Sequence, residues 1–266
     1  MSRRAIRDTG QRLVLGLIGI AAIVGVWYLV SAQLQPVQLP SPTVVWNTLW
    51  TDLHNIAGLS YVSYGSQSLL GALGWTAANV AICCGIGCVA GYGLGLLIAT
   101  SRVARQALTP PLFMLGTVPT LVVLPFVLIW FGPSRLAQGS LVIVFTALTV
   151  SAFTEQAAAR VGSDFRNYAR SLGAGHRMLV REVIVPASLP GVAAGLRVSL
   201  ATGWSLEAVA ELIAGQNGIG RIIQSMAQLD RTADVIAAVL LLSAVAVAAD
   251  LILVLATKGM TPWMER

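Results

Sequence analysis

The sequence predicts an all-α integral membrane protein with six transmembrane helices. Three observations carry that expectation. Of 266 residues, 56% are hydrophobic and only 11% are Asp, Glu, Lys or Arg, against about 25% charged in an ordinary soluble domain. The apolar residues gather in runs near the ~20 residues that a bilayer crossing needs. Those runs are continuous, not alternating, which selects helices over a barrel.

The first run, 13–31, follows Arg3, Arg4, Arg7 and Arg12. Val30-Ser31-Ala32 resembles a signal-peptidase site, but the apolar core exceeds the ~7–15 residues of a cleaved signal. A retained anchor helix is expected. Segment 32–75 contains no Lys or Arg. Its Leu39-Pro40-Ser41-Pro42 turn leads into a helix-like run with Val45, Leu49 and Leu53 at four-residue spacing. Trp46 and Trp50 suit a helix lying in the membrane interface.

The second span, 76–100, carries Gly87, Gly91 and Gly95, a ladder that lets a neighbouring helix approach closely. The third, 109–131, contains Pro119 and Pro125. Each removes a helical hydrogen bond and bends the chain, either as a tolerated kink or as part of a pathway lining. Spans 138–159, 189–212 and 235–257 complete the six. The chain divides into an N-terminal part, 1–75, and a five-helix core, 76–266, with a polar loop at about 160–187.

Basic residues set the orientation. With the N-terminus in the cytoplasm, the inner segments hold Arg3, Arg4, Arg7, Arg12, Arg102, Arg105, Arg160, Arg166, Arg170, Arg177, Arg181, Lys258 and Arg266. The outer segments hold Arg135, Arg221 and Arg231. Both termini are therefore expected on the cytoplasmic side. The net charge of +6 sits at the edges of apolar runs, which argues against nucleic acid as a partner. Cys83, Cys84 and Cys88 share one apolar run and read as packing residues, since a metal site needs more ligands nearby. The only lysine, Lys258, lies outside any Walker A spacing, and GQNGIG at 215–220 has the wrong order for one. This chain should not hydrolyse ATP by itself.

The loop is the most specific feature. It reads NYARSLGAGHRMLVREVIVPASLP over 167–190. Phe165, Tyr168, Ala169 and Leu172 recur at helical spacing. Ser163 or Asp164 is placed to cap that helix, and Gly173 and Gly175 to stop it. A second short helix is expected over 176–185, with Leu179 and Val183 on one side, ended by Pro186. From pattern alone, the first helix rests on lipid or enters another protein.

The stretch resembles the EAA loop of ABC importer permeases: Glu-Ala-Ala, three residues, Gly, nine residues, then Ile-x-Leu-Pro. Gly173 matches the glycine, and Val183, Val185 and Pro186 match Ile, Leu and Pro. Asn167 stands at the Glu position, with Tyr168 and Ala169 completing the triplet. That departure replaces the motif's carboxylate with a neutral amide. VPTLVVLPFVLIWFG (118–132), ARSLGA (169–174), VPASLPGVAAGLRVSL (185–200) and AELIAGQNGIG (210–220) resemble the nitrate/sulfonate/taurine group.

The resemblance implies a type I importer permease fold, working as a homodimer. It places the chain in a bacterial inner membrane, where a periplasmic or lipid-anchored binding protein would deliver a small, anionic solute. Two cytoplasmic ATPase subunits would hold ATP and Mg, with no cofactor on this chain. It implies ATPase coupling through Asn167, Tyr168, Ala169, Arg170, Leu172, Gly173, Ala174 and Pro186.

Pathway or gate candidates are Pro119, Pro125, Arg197, Glu207, Glu211, Gly218 and Gly220. Glu211 either shapes an outer gate or pairs with Arg221 or Arg231, and Glu207 is similar. Arg197, an intramembrane charge, is expected to pair within the bundle. Glu155 and Asp250 lie near inner ends. The alternative function is an ion-coupled secondary transporter or channel, which would need buried coupling residues and inverted repeats.

Overall fold

The computed structural model describes residues 3–54, 56 and 68–260, with side chains left undescribed at 3–13, 163, 164, 166, 170 and 258–260. The expected caps Ser163 and Asp164, the side chains of Arg3, Arg4, Arg7, Arg12, Arg166, Arg170 and Lys258, and all of Arg266 therefore lie outside the described set.

Eleven helices run in chain order among the described residues. They are α1 (Arg3–Ser31), α2 (Pro42–Asp52), α3 (Leu69–Thr100), α4 (Arg102–Thr117), α5 (Thr120–Phe131), α6 (Arg135–Ala159), α7 (Ser163–Ser171), α8 (His176–Leu179), α9 (Val185–Ala214), α10 (Ile219–Gln228) and α11 (Thr232–Met260). A π-helical turn, Val180–Ile184, joins α8 to α9. The segments around α1, α3, α6, α9 and α11 are long and apolar enough to cross a membrane, and the bent pair α4–α5 makes a sixth span if counted as one.

The core is a trio of α3, α6 and α9. At Gly87, a Cβ would stand 2.6 Å from Thr146 Cβ; at Gly91, 2.5 Å from the Ala147 carbonyl; at Gly95, 2.6 Å from Thr154 Cβ. Backbone meets backbone along this seam, so dispersion contacts replace a hydrophobic drive that is absent in lipid. The α9 helix joins through Gly195, which faces Phe153, and Gly203, which faces the Cys84 thiol. Val80, Cys84, Val142 and Trp204 fill the centre. The α11 helix packs against α2, α9 and α10, and its Leu242, Val245, Ala246 and Ala249 border this central cluster.

Three element boundaries differ from expectation. The second span begins at Leu69, where the Ser68 hydroxyl accepts from Gly71 N–H at 3.0 Å. The third span is broken: α4 and α5 meet at 95°. Pro119 has no N–H and holds Val118 extended (φ −73°, ψ 124°), which ends α4. Pro125 stays inside α5. Pro186 does not end a helix over 176–185. The π turn widens the ladder before it, Val185 N–H reaches back to the Val180 carbonyl, and α9 continues through Pro186 and Pro190.

Candidate functional site

At one end of the bundle, α7 stands almost apart. Its helix stops at Gly173, whose φ of +85° only glycine adopts freely. Ala174 N–H closes the turn on the Ala169 carbonyl at 3.0 Å, a Schellman arrangement. Ala169 packs inward on Leu179, Ile184, Ala99 and Ala158. Phe165, Tyr168 and Leu172 are 72%, 67% and 71% exposed, so the face expected to be one apolar stripe divides between an anchor and three outward side chains. Asn167 is also exposed. Pro186 lies at the base of this arm, in the first turn of α9.

At the opposite end, Glu207 and Glu211 sit one turn apart on α9, both fully buried. Glu211 accepts from the Thr76 hydroxyl at 2.8 and 2.9 Å and from Gly220 N–H at 3.0 Å. Thr76 Oγ1 in turn accepts from Ile219 N–H at 3.0 Å. The first amides of α10 are thus capped by residues of α3 and α9, and a carboxylate suits that helix end. Gly218 (φ +101°) and Gly220 permit the approach: a Cβ on Gly218 would overlap the Glu211 carboxylate.

The expected pairing of Glu211 with Arg221 or Arg231 is not found. Arg221 bonds Gln224 at 2.6 Å. Arg231 bonds Asp52 of α2 at 3.0 Å and Asp234 of α11 at 2.5 Å. Burial pushes the Asp52 carboxyl up to about 7, helped by Asp234 and opposed by Arg231.

Glu207 accepts from Asn79 Nδ2, and Asn79 Oδ1 accepts from Arg135 Nε–H at 2.8 Å. The Arg135 guanidinium lies 4.5 Å over the Trp75 ring. Sequence reasoning missed Thr76, Asn79 and Arg135 as partners of the two glutamates. The available signal was two polar residues three apart, hence on one face, at the start of an apolar run.

Farther back along α9, on an exposed face of the bundle, Arg197 forms a two-pronged pair with Asp250 of α11, at 2.7 and 2.8 Å. The fork geometry is the strong one for a guanidinium and a carboxylate. Beside the α4–α5 break lies a cavity of about 400 Å³ between α3, α4, α5 and α6. Its lining is mostly apolar, with Thr109, Thr117, Thr120, Thr149, Ser151 and Glu155 as polar exceptions. Glu155 is 3.8 Å from Arg105. Pro119 sits at the break itself, so the bend and the cavity share one cause.

The family model described as the binding-protein-dependent transport system inner membrane component matches residues 91–264. The taurine transport system permease protein TauC of Escherichia coli is 28% identical over 95% of this chain and 90% of its own length. A putative aliphatic sulfonates transport permease, SsuC of Bacillus subtilis, is 30% identical over 67% and 66%. The nitrate import permease NrtB of Leptolyngbya laminosa is 25% identical over 87% and 82%.

Among solved structures, the fold resembles the MetNI methionine ABC transporter in an inward-facing conformation, with a TM-score of 0.61 at 21% identity over 74% of this chain and 97% of that one. A bacterial ABC transporter importing alginate superposes with a TM-score of 0.62 at 16% identity over 97% and 100%. The family match takes in the last third of α3, all of α6 and α9, the α7 arm and the α9–α10 junction, and by it the chain belongs to the binding-protein-dependent transport system inner membrane components, the permease subunits of ABC importers.

Proposed function

We propose that the chain forms half of the pathway through which a small oxyanion-bearing solute enters the cell, driven by a separate ATPase that grips α7. One observation carries the reading: α7 holds itself by Ala169 and its glycine turn while presenting Phe165, Tyr168 and Leu172 outward. An apolar helical face on a short rigid arm fits a groove in a partner protein. The α7 end is then cytoplasmic and the α10 end faces outward, as the distribution of basic residues supports.

In this reading two copies of the chain form the pathway. Two ATPase subunits bind ATP and Mg, and a binding protein loads solute at the α10 end. Closure of the ATPases pulls the two arms together and tips a two-state bundle outward. The α4–α5 break and its cavity line the passage, where irregular backbone is tolerated because it borders water or protein. The named relatives of this chain handle taurine, sulfonates, nitrate and bicarbonate, and each of those solutes carries an oxyanion group.

The test is purification of tagged permease in mild detergent, followed by mass spectrometry of what accompanies it. A stoichiometric ATP-binding subunit is expected. A permease that stays alone across detergents and with ATP present contradicts the reading.

A further inference from the structure

We propose that Arg135, at the outer mouth of the bundle, is a receptor for the oxyanion group of the solute, and that Asn79 and Glu207 are its positioning residues. The proposal rests on the import reading above. It starts from a costly arrangement. Glu207 is fully buried, Asn79 is 3% exposed, and Glu207 Oε2 has no hydrogen-bond partner among the described residues. A buried carboxylate and amide at membrane depth are expensive unless they serve another group.

Here the chain of bonds ends on an exposed guanidinium. Asn79 Nδ2 donates to Glu207 Oε1, and Arg135 Nε donates to Asn79 Oδ1 at 2.8 Å. The Trp75 ring covers one face of the guanidinium at 4.5 Å. The Nε bond and the ring contact together fix the plane of the fork.

What remains is the Nη1–Nη2 edge, which has no described hydrogen bond and projects from an exposed residue. That edge offers two parallel N–H groups, the geometry that matches two oxygens of a carboxylate, nitrate, bicarbonate or sulfonate. An arginine that merely reaches for the membrane surface needs no such buried backing.

The neighbours at this end support the contrast. Arg231 is held between Asp52 and Asp234, and Arg221 bonds Gln224. The site is shallow and exposed, so binding is weak. Weak binding suits a solute in transit, which must leave as readily as it arrives.

The test uses the full chain in lipid nanodiscs and methanesulfonate as the probe, with saturation-transfer NMR on its methyl signal. Wild type should show saturable transfer that sodium nitrate displaces. Arg135→Gln should abolish it. Arg135→Lys keeps the charge without the fork and should weaken it about tenfold.

Glu207→Gln retains an acceptor for Asn79 and should stay within about twofold, whereas Glu207→Leu should fall by about tenfold. That rescue by the conservative variant separates positioning of Arg135 from general damage. Arg135 is exposed, so its substitutions open no cavity in the core, and unchanged gel-filtration behaviour checks that loss of its bond to Asn79 does not unfold the bundle.

Wild-type affinity in Arg135→Gln, or no displaceable transfer in wild type, overturns the site. The measurement needs neither ATP nor a partner. A permease that co-purifies with an ATPase but binds methanesulfonate independently of Arg135 keeps the import reading and loses this one.

Discussion

Glu211 of α9 and Gly220 of α10 are joined by a hydrogen bond of 3.0 Å, from the Gly220 main-chain amide to the side-chain Oε2 of Glu211. With Thr76 on the other side, the carboxylate caps a helix that follows it in the chain by only eight residues. Truncation as Glu211→Ala should strand the buried Gly220 amide at a cost of about 1–3 kcal/mol, while the Thr76 hydroxyl keeps the Ala72 carbonyl as an acceptor at 3.2 Å. Glu211→Gln keeps an acceptor and should cost less. Thermal unfolding in detergent, with protease cleavage at 215–218 as a local readout, checks the order.

Gly218 and Gly173 both have positive φ, yet a Cβ meets the Glu211 carboxylate at the first and nothing at the second. Gly173→Ala should therefore carry only the backbone strain, about 1–2 kcal/mol, and Gly218→Ala substantially more. The same thermal assay ranks the two. Gly173→Val, β-branched, should displace α7 enough to lose solute uptake while the protein still inserts in the membrane.

The α3–α6 seam predicts a sharp positional contrast. Gly91→Leu drives a side chain into the Ala147 backbone and should destabilise by at least about 1–3 kcal/mol. Gly93, two residues on, has open space around it, and Gly93→Leu should be nearly neutral. Equal effects at the two positions would contradict the packing described.

Asp52 gives a pH prediction. Its carboxyl is pushed up to about 7 from an ordinary 3.8, first by burial and then by Asp234. The folded protein thus holds a proton that the unfolded chain releases, and stability falls as pH rises from about 4 to 7. Asp52→Asn removes that penalty. It should unfold a few degrees higher than wild type at pH 8, with the gap shrinking as pH falls toward 4. A variant uniformly weaker across that range would mean that Asp52 acts as a plain ionised partner of Arg231.

Much of the architecture was legible because lipid leaves the chain few options. Apolar runs near twenty residues gave the spans, and glycines four apart marked the face where α6 lies against α3. The αL turn at Gly173 was readable from one residue in its loop.

Other features depend on contacts that sequence spacing does not carry. The 95° break follows from Pro119, but prolines 125 and 190 sit inside helices with similar local signals. Pro186 was expected to end a helix, whereas a π turn absorbs its missing amide. The α10 helix went unread, although Ile219, Ile222, Ile223 and Met226 have helical spacing; the glycines before it suggested only a turn. The side-chain partners of Glu207 and Glu211 lie more than a hundred residues away on α3, so only the packed trio brings them together.

The central claim is that an ATPase grips α7. The most direct measurement is site-specific cross-linking of the purified complex. One cysteine is introduced as Leu172→Cys on the outward face of α7, and another separately as Trp46→Cys on α2 at the opposite end. With ATP present and a maleimide–benzophenone reagent, which alkylates the introduced thiol and on illumination inserts into a nearby C–H bond of any protein, the account predicts an adduct between the ATP-binding subunit and the cysteine at 172, and none from 46. An ATP-hydrolysing complex that gives no adduct at 172, or gives one from 46 instead, would contradict it.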